Sequence, residues 1–204
     1  MRILFDLDGT LIDSRERLYL LFQYLVPASN LTFDEYWRYK REKIDHKKIL
    51  QSKFSFSEHD IVSFNKNWME KIESPEWLDF DKPFKGVTKF LDQLKRENEL
   101  YLVTARQFES NVFSQLDSWG WSNVFTRIFV TKQKVEKIEL VRNVVVTIPT
   151  DWFVGDTGKD IETGKALGIQ TAAVLSGFLS EEKLREYEPD LIIDTVIDFK
   201  PVSK

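Results

Sequence analysis

Two short acidic clusters hold most of this sequence's capacity for chemistry. Asp6 and Asp8 stand in Asp6-Leu7-Asp8-Gly9-Thr10, and Asp156 and Asp160 stand in Gly155-Asp156-Thr157-Gly158-Lys159-Asp160. If the chain stays extended at the first cluster, Asp6 and Asp8 project to the same side, because side chains alternate along a strand. Two carboxylates in one small volume repel, and one pKa rises unless a cation screens the pair. That arrangement suits a hard divalent ion with oxygen ligands. It also suits one carboxylate acting as nucleophile and the other as proton carrier. The spacing of Asp156 and Asp160, across a loop that opens a helix, can bring both to one metal, and magnesium commonly takes one or two carboxylates and keeps several waters. The plainer readings are a turn at Asp8-Gly9 and a helix N-cap at Asp160.

Other groups fit chemistry on a phosphoryl group. Tyr101-Leu102-Val103-Thr104 is an apolar run ending in a hydroxyl, followed by Ala105 and Arg106. A hydroxyl and a helix N-terminus can both donate to a phosphate oxygen. A lysine is also wanted to offset the charge of phosphoryl group and nucleophile. Lys132, Lys134 and Lys137 are on offer, and Lys134 is favoured because it falls at the apparent start of a helix carrying Val135, Ile138 and Val141. Gly9, Thr10, Thr104, Ala105, Arg106 and Lys134 are the expected substrate-binding positions.

These residues need a frame. Arg2–Leu7 reads as a short buried strand broken by Gly9 and Thr10. From about Ser14 to Trp77 apolar residues recur at helical spacing, as in Leu18, Leu21, Phe22 and Leu25, then Ile61, Phe64, Trp68 and Ile72. Strands and helices alternate after Pro83: strands at 99–104, 127–131, 151–156, 169–175 and 191–193, with helices at about 107–119, 134–142 and 161–167. Alternation implies parallel pairing with helices on both sheet faces. The chain therefore reads as an α/β core over 1–14 and 83–204, split by an all-helical insert over 15–82.

The 204 residues suffice for a core without covalent staples. Zero cysteines exclude disulfides, thiolate zinc sites and cysteine nucleophiles, and suit a reducing compartment. A net charge of −4 argues against a nucleic-acid platform. No window predicts a membrane span or a secretory signal, so a cytoplasmic protein, monomer or homodimer, is expected. Sixteen Phe and six Trp are an aromatic excess that predicts packing. His46 and His59 read as surface residues. In the aromatic and basic run from Tyr36 to Lys48, Arg38 or Arg41 is a candidate to face the site and grip a second anionic group. Leu175-Ser176-Gly177-Phe178 is a candidate pocket-lining loop.

The four clusters together resemble the haloacid dehalogenase superfamily, in its phosphatase branch of phosphoglycolate phosphatase-like and beta-phosphoglucomutase-like members. Its motifs are a strand followed by DxDGT, a strand-ending Thr or Ser, a Lys, and GDxxxD. They look like Asp6–Thr10, Val103-Thr104, Lys134 and Gly155–Asp160 here. The resemblance implies a Rossmann-like core with a helical cap. It implies Asp6 as the nucleophile that becomes an aspartyl-phosphate, and Asp8 as the acid and then base. Thr104 and Lys134 would hold phosphoryl oxygens. Mg²⁺ would be held by Asp6, the Asp8 main-chain carbonyl and Asp156, with Asp160 close behind. A small phosphorylated metabolite is the implied substrate. A sugar phosphomutase and a catalytically silent binding module are the alternatives. Two features depart from the pattern: Thr163-Gly164 inside the last helix, and no proline after the lysine.

Overall fold

Each acidic cluster lies at the carboxyl end of a buried strand, and the two strands are neighbours. The computed structural model describes residues 1–201, so the last three positions of the expected 83–204 segment lie outside the described residues. The chain opens with β1 (Arg2–Phe5) and β2 (Ile12–Asp13). A helical run follows: α1 (Arg15–Leu25), α2 (Phe33–Arg41), α3 (His46–Phe54), α4 (Glu58–Lys71) and α5 (Pro75–Leu78). After β3 (Lys82–Pro83) come α6 (Val87–Leu94), β4 (Glu99–Thr104), α7 (Glu109–Ser118), β5 (Arg127–Val130) and α8 (Lys137–Arg142). The chain continues through β6 (Trp152–Gly155), α9 (Gly158–Ala166), β7 (Gln170–Val174), α10 (Glu181–Arg185) and β8 (Leu191–Ile193).

Among the described residues the main sheet has six strands in the order β5-β4-β1-β6-β7-β8, and every pairing is parallel. Both faces are covered. Ile3 and Phe5 enter one apolar cluster with Val87, Leu91, Val112 and Leu116, while Leu4 enters the opposite one with Phe129, Val141 and Phe153. The path runs outward from β1 through β4 to β5, then restarts at β6 on the other side. In open α/β sheets ligands bind outside the carboxyl ends of the strands at such a reversal. Here that point lies between the ends of β1 and β6, where Asp6 and Asp156 emerge.

The helical run has an apolar cluster of its own, built on Phe22, Tyr36, Trp37, Ile49, Leu50, Ile61 and Phe64. Reciprocal capping boxes start α2 (Thr32 with Glu35) and α4 (Ser57 with Asp60), each N-cap contributing about 1 kcal/mol. Much of the aromatic excess packs here. His46 is not a surface residue: its ring lies 4.3 Å from Trp68, and its Nε2 is 2.9 Å from the Tyr36 hydroxyl.

Three local features differ from expectation. β2 and β3 form a small antiparallel pair, Ile12 against Pro83 and Asp13 against Lys82. It clasps the two ends of the helical run, and two residues per strand are too few to show an alternation. α8 starts at Lys137 rather than Lys134, because Lys132 and Gln133 take left-handed backbone angles (φ 54° and 52°) and Lys134 N–H closes a turn onto the Thr131 carbonyl. α9 starts at Gly158, three residues before Ile161, with a Thr157–Asp160 capping box. The off-pattern Gly164 has a packing reason: a Cβ there would press against Thr171 and Phe153, so its absence lets α9 lie close on β6 and β7.

Candidate active site

Asp6 is the first residue past β1, and its N–H donates to the Val154 carbonyl of β6 at 2.9 Å. That bond extends the ladder and delivers the Asp6 carboxylate beside the end of β6. Lys137, in the first turn of α8, reaches in from the other side. Its Nζ lies 2.5 Å from Asp6 Oδ1 and 2.7 Å from Asp160 Oδ1. Burial and the nearby Asp160 and Asp8 carboxylates push Asp6 up to about 7, with Lys137 pulling against them. Burial alone would lower the Lys137 pKa, but Asp160 and Asp6 hold it above the ordinary lysine value. Lys137 is therefore a fixed positive charge against the Asp6 and Asp160 carboxylates.

The lysine expectation is corrected accordingly. Lys134 is exposed, on a turn of the left-handed segment that precedes α8. Helix geometry selects Lys137 instead: it stands four residues before Val141, and both are buried on the same face of α8. A lysine inside that stripe was the signal that sequence reading undervalued.

Asp8 is held differently from Asp6. Arg106, just past β4, pairs side-on with it, Nε to Oδ2 at 2.6 Å and Nη2 to Oδ1 at 2.7 Å. Arg17 of α1 adds Nη2 to Asp8 Oδ1 at 2.6 Å. Burial would raise the Asp8 pKa, yet the Arg106 and Arg17 guanidiniums hold it below the usual carboxylate range. Asp81 serves both arginines, 2.9 Å from Arg17 Nε and 2.8 Å from Arg106 Nη2. Arg106 was expected to bind substrate, but its guanidinium is committed to Asp8, Asp81 and Gln115. Arg17 and Asp81 were not anticipated. Arg17 shares the buried face of α1 with Leu21, four residues on, and a charge in an apolar stripe is the trace they left.

The remaining expected positions converge. Thr104 is buried, and its Oγ1 accepts from Arg106 N–H at 3.4 Å. Thr104, Ala105, Arg106, Asp6, Asp8 and Lys137 all line one cavity of about 330 Å³. Its outer wall is Leu18, Trp68, Met69 and Phe178, three of them from α1 and α4 and the last from the loop after β7. Thr10 Oγ1 donates to Asp156 Oδ1 at 3.3 Å, and Gly9 packs beside the same carboxylate. Both therefore touch the Asp156 group and are absent from the cavity lining. Arg38 is exposed, and Arg41 donates to main-chain carbonyls after β7.

Asp6, Asp156 and Asp160 each offer an oxygen, and these atoms lie within 4.8 Å of one another. All three are buried. Burial first, then Asp6 and Asp160, push the Asp156 carboxyl well above its ordinary value. An all-oxygen donor set of this kind fits a hard divalent cation. The Asp8 side chain is turned away into its arginines and is not in this group. Room at the cluster is tight by design of the backbone: a Cβ at Gly177 would collide with the Asp156 carboxylate.

The family described as Haloacid dehalogenase-like hydrolase matches residues 3–174. A protein named Pyrophosphatase PpaX from Oceanobacillus iheyensis is 26% identical over 96% of this chain and 93% of its own length. A phosphoglycolate phosphatase from Mesorhizobium japonicum is 25% identical over 94% and 89%. The solved structure of a haloacid dehalogenase-like hydrolase from Streptococcus pneumoniae superposes with a TM-score of 0.72, covering 97% of this chain and 95% of that one at 22% identity, a likeness of fold.

Proposed function

This chain belongs to the haloacid dehalogenase-like hydrolase family as a phosphatase-type enzyme, and on that premise we propose that it hydrolyses a small phosphate monoester through an aspartyl-phosphate at Asp6. The observation that carries the proposal is the Lys137 Nζ seated on Asp6 Oδ1 at 2.5 Å. A buried carboxylate tied through one oxygen to a fixed ammonium keeps its other oxygen free to attack.

In the first step the free Asp6 oxygen forms a bond to phosphorus and the ester P–O bond breaks. Thr104 Oγ1 and Lys137 Nζ hold phosphoryl oxygens, where preorganised donors are commonly worth 10²–10³ in rate each. Asp8 gives a proton to the departing oxygen. In the second step Asp8 takes a proton from water, the water oxygen bonds to phosphorus, and the Asp6–phosphorus bond breaks to release inorganic phosphate. A carboxylate gripped by two guanidiniums stays ionised, so Asp8 must first take up from solvent the proton it gives, as its pairs with Arg106 and Arg17 loosen. Mg²⁺, held by Asp6, Asp156 and the Asp8 main-chain carbonyl with Asp160 behind, would supply charge stabilisation for the transferred group.

The helical run over 15–82 acts in this proposal as a cap over a core of 1–14 and 83–204. Its Leu18, Trp68 and Met69 close the 330 Å³ cavity and favour a small substrate. Phosphoglycolate, in the name of one relative, is a small monoester, and pyrophosphate, in the name of another, is a small anhydride whose bridging P–O bond would break in the same way. The absence of cysteine accords with a cytoplasmic setting, and among the described residues no helix is long and apolar enough to cross a membrane.

The test is phosphate release from a panel including pyrophosphate, phosphoglycolate and sugar phosphates, with Mg²⁺ or EDTA, on the wild type and Asp6→Asn. Release should require Mg²⁺ and fall by at least about a thousandfold in the folded mutant. Undiminished release by the mutant would remove Asp6 from the mechanism.

A further inference from the structure

The cavity and its carboxylates leave one strong contact unused. Arg41, the last residue of α2, is the only member of the basic run over Tyr36–Lys48 whose guanidinium reaches the loop after β7 among the described residues. Its Nη1 donates to the Leu175 carbonyl at 2.9 Å and lies 3.4 Å from the Gly177 carbonyl. Its own main-chain carbonyl accepts from Ser180 N–H at 3.0 Å. The helical run thus holds the loop 175–180 at three points through a single residue, and the Trp37 ring adds a fourth contact, 5.4 Å from the Phe178 ring.

The other side of that loop is built into the acidic site. Phe178 N–H donates to Asp156 Oδ2 at 2.6 Å, and Ser176 Oγ donates to the Gly9 carbonyl at 2.9 Å. Gly177 is packed so close to the Asp156 carboxylate that no side chain fits between them. Two donors hold Asp156 in place, Phe178 N–H and the longer Thr10 hydroxyl at 3.3 Å. The shorter of the two comes from the loop that Arg41 fixes.

We propose that Arg41 is a positioning residue for the metal-binding carboxylate Asp156: through the loop 175–180 it links the docked position of the helical run to the affinity of the acidic site for a divalent cation. This rests on the reading of Asp6, Asp156 and Asp160 as a cation site. An outer partner that orients a metal ligand commonly matters ten- to a hundredfold in affinity. Coupling of this kind is reciprocal, so bound cation also holds the helical run against the loop.

The experiment titrates metal-free protein with Mg²⁺ and with Mn²⁺ by calorimetry, for the wild type, Arg41→Met and Arg41→Lys. Hydrogen exchange of residues 175–180 and thermal unfolding in EDTA are followed on the same samples. Arg41→Met keeps the stem and removes the donors. Its cation Kd should rise about tenfold, its 175–180 amides should exchange faster, and its unfolding midpoint in EDTA should stay near the wild-type value. Arg41→Lys, which can reach one carbonyl, should recover part of the affinity. An Arg41→Met protein that binds both cations within twofold of the wild type overturns the inference, whatever its loop does. A wild type that binds neither cation overturns instead the cation-site reading beneath it, so the two failures are separable.

Discussion

Arg106 meets Asp8 side-on, with Nε 2.6 Å from Oδ2 and Nη2 2.7 Å from Oδ1 of the same carboxylate. That fork fixes the plane of the Asp8 carboxylate as well as its position, which a single ammonium cannot do. On the proposed mechanism, Arg106→Lys should therefore lower kcat about tenfold or more while leaving KM within a few-fold, because Asp8, the proton carrier of that proposal, is misaimed while Thr104 and Lys137, its phosphoryl contacts, are intact. Arg106→Met should also unfold more readily, by about 3–5 kcal/mol, since it strands the buried Asp81 without one of its two cations. Steady-state kinetics and chemical denaturation separate the two effects. A mutant that lost only KM would place Arg106 on the substrate instead.

Lys137 and Lys134 are three residues apart and should behave as unrelated. Lys137→Met should cut kcat/KM by about 10²–10³, and it leaves Asp6 and Asp160 as a repelling buried pair. Divalent cation should recover part of the stability that is lost. Lys134→Met, at an exposed turn, should change kcat/KM by less than about twofold. Equal effects from both substitutions would break the assignment.

Cation binding should show as stability in the native protein. A ligand at a hundred times its Kd adds about 2.7 kcal/mol, which for a chain of this size is a rise of about 5–10 °C in Tm. Mg²⁺ in that excess should raise the wild-type midpoint by that amount over EDTA. Asp156→Asn should show little or no rise. Gly177→Ala should behave similarly, because its Cβ intrudes on the Asp156 carboxylate. A full Mg²⁺ response in both variants would show that the cation binds elsewhere.

His46 makes stability depend on pH. Burial, and then the neighbouring Lys40, hold its pKa well below the ordinary imidazole value of about 6.5, and its ring is hydrogen-bonded to Tyr36. In the unfolded chain the imidazole takes up a proton near 6.5, which the folded state refuses. The contribution is therefore complete above about pH 6.5 and is lost as pH falls below it, by at most about 1.4 kcal/mol per pH unit. Denaturation midpoints of the wild type should drop between about pH 6.5 and 5.5, and those of His46→Gln should be flatter there. Parallel curves would mean that His46 does not supply the slope.

The local sequence was enough to locate β1, β4, β5, β6 and β7, because fully buried parallel strands read as continuous apolar runs whatever packs on them. It was enough to single out Asp6, Asp8, Thr104, Asp156 and Asp160 as candidates, since the first four end or closely follow one of those strands and Asp160 stands in the first turn of the helix after β6. It favoured Lys134 over Lys132 and Lys137, whereas the structure seats Lys137 on Asp6. That choice depends on where α8 begins, and two left-handed residues at 132 and 133 set the start. The local sequence could not show that Arg106 turns back to Asp8, or that Arg17 and Asp81, separated by the whole helical run, come together beneath the cavity. Arg41 was legible as a charge near the site but its contacts were not, because its partners are main-chain carbonyls more than 130 residues away in sequence. Periodicity reports which face of an element is buried. The partner that a buried charge finds is decided by how the helical run docks on the sheet, which no single segment encodes.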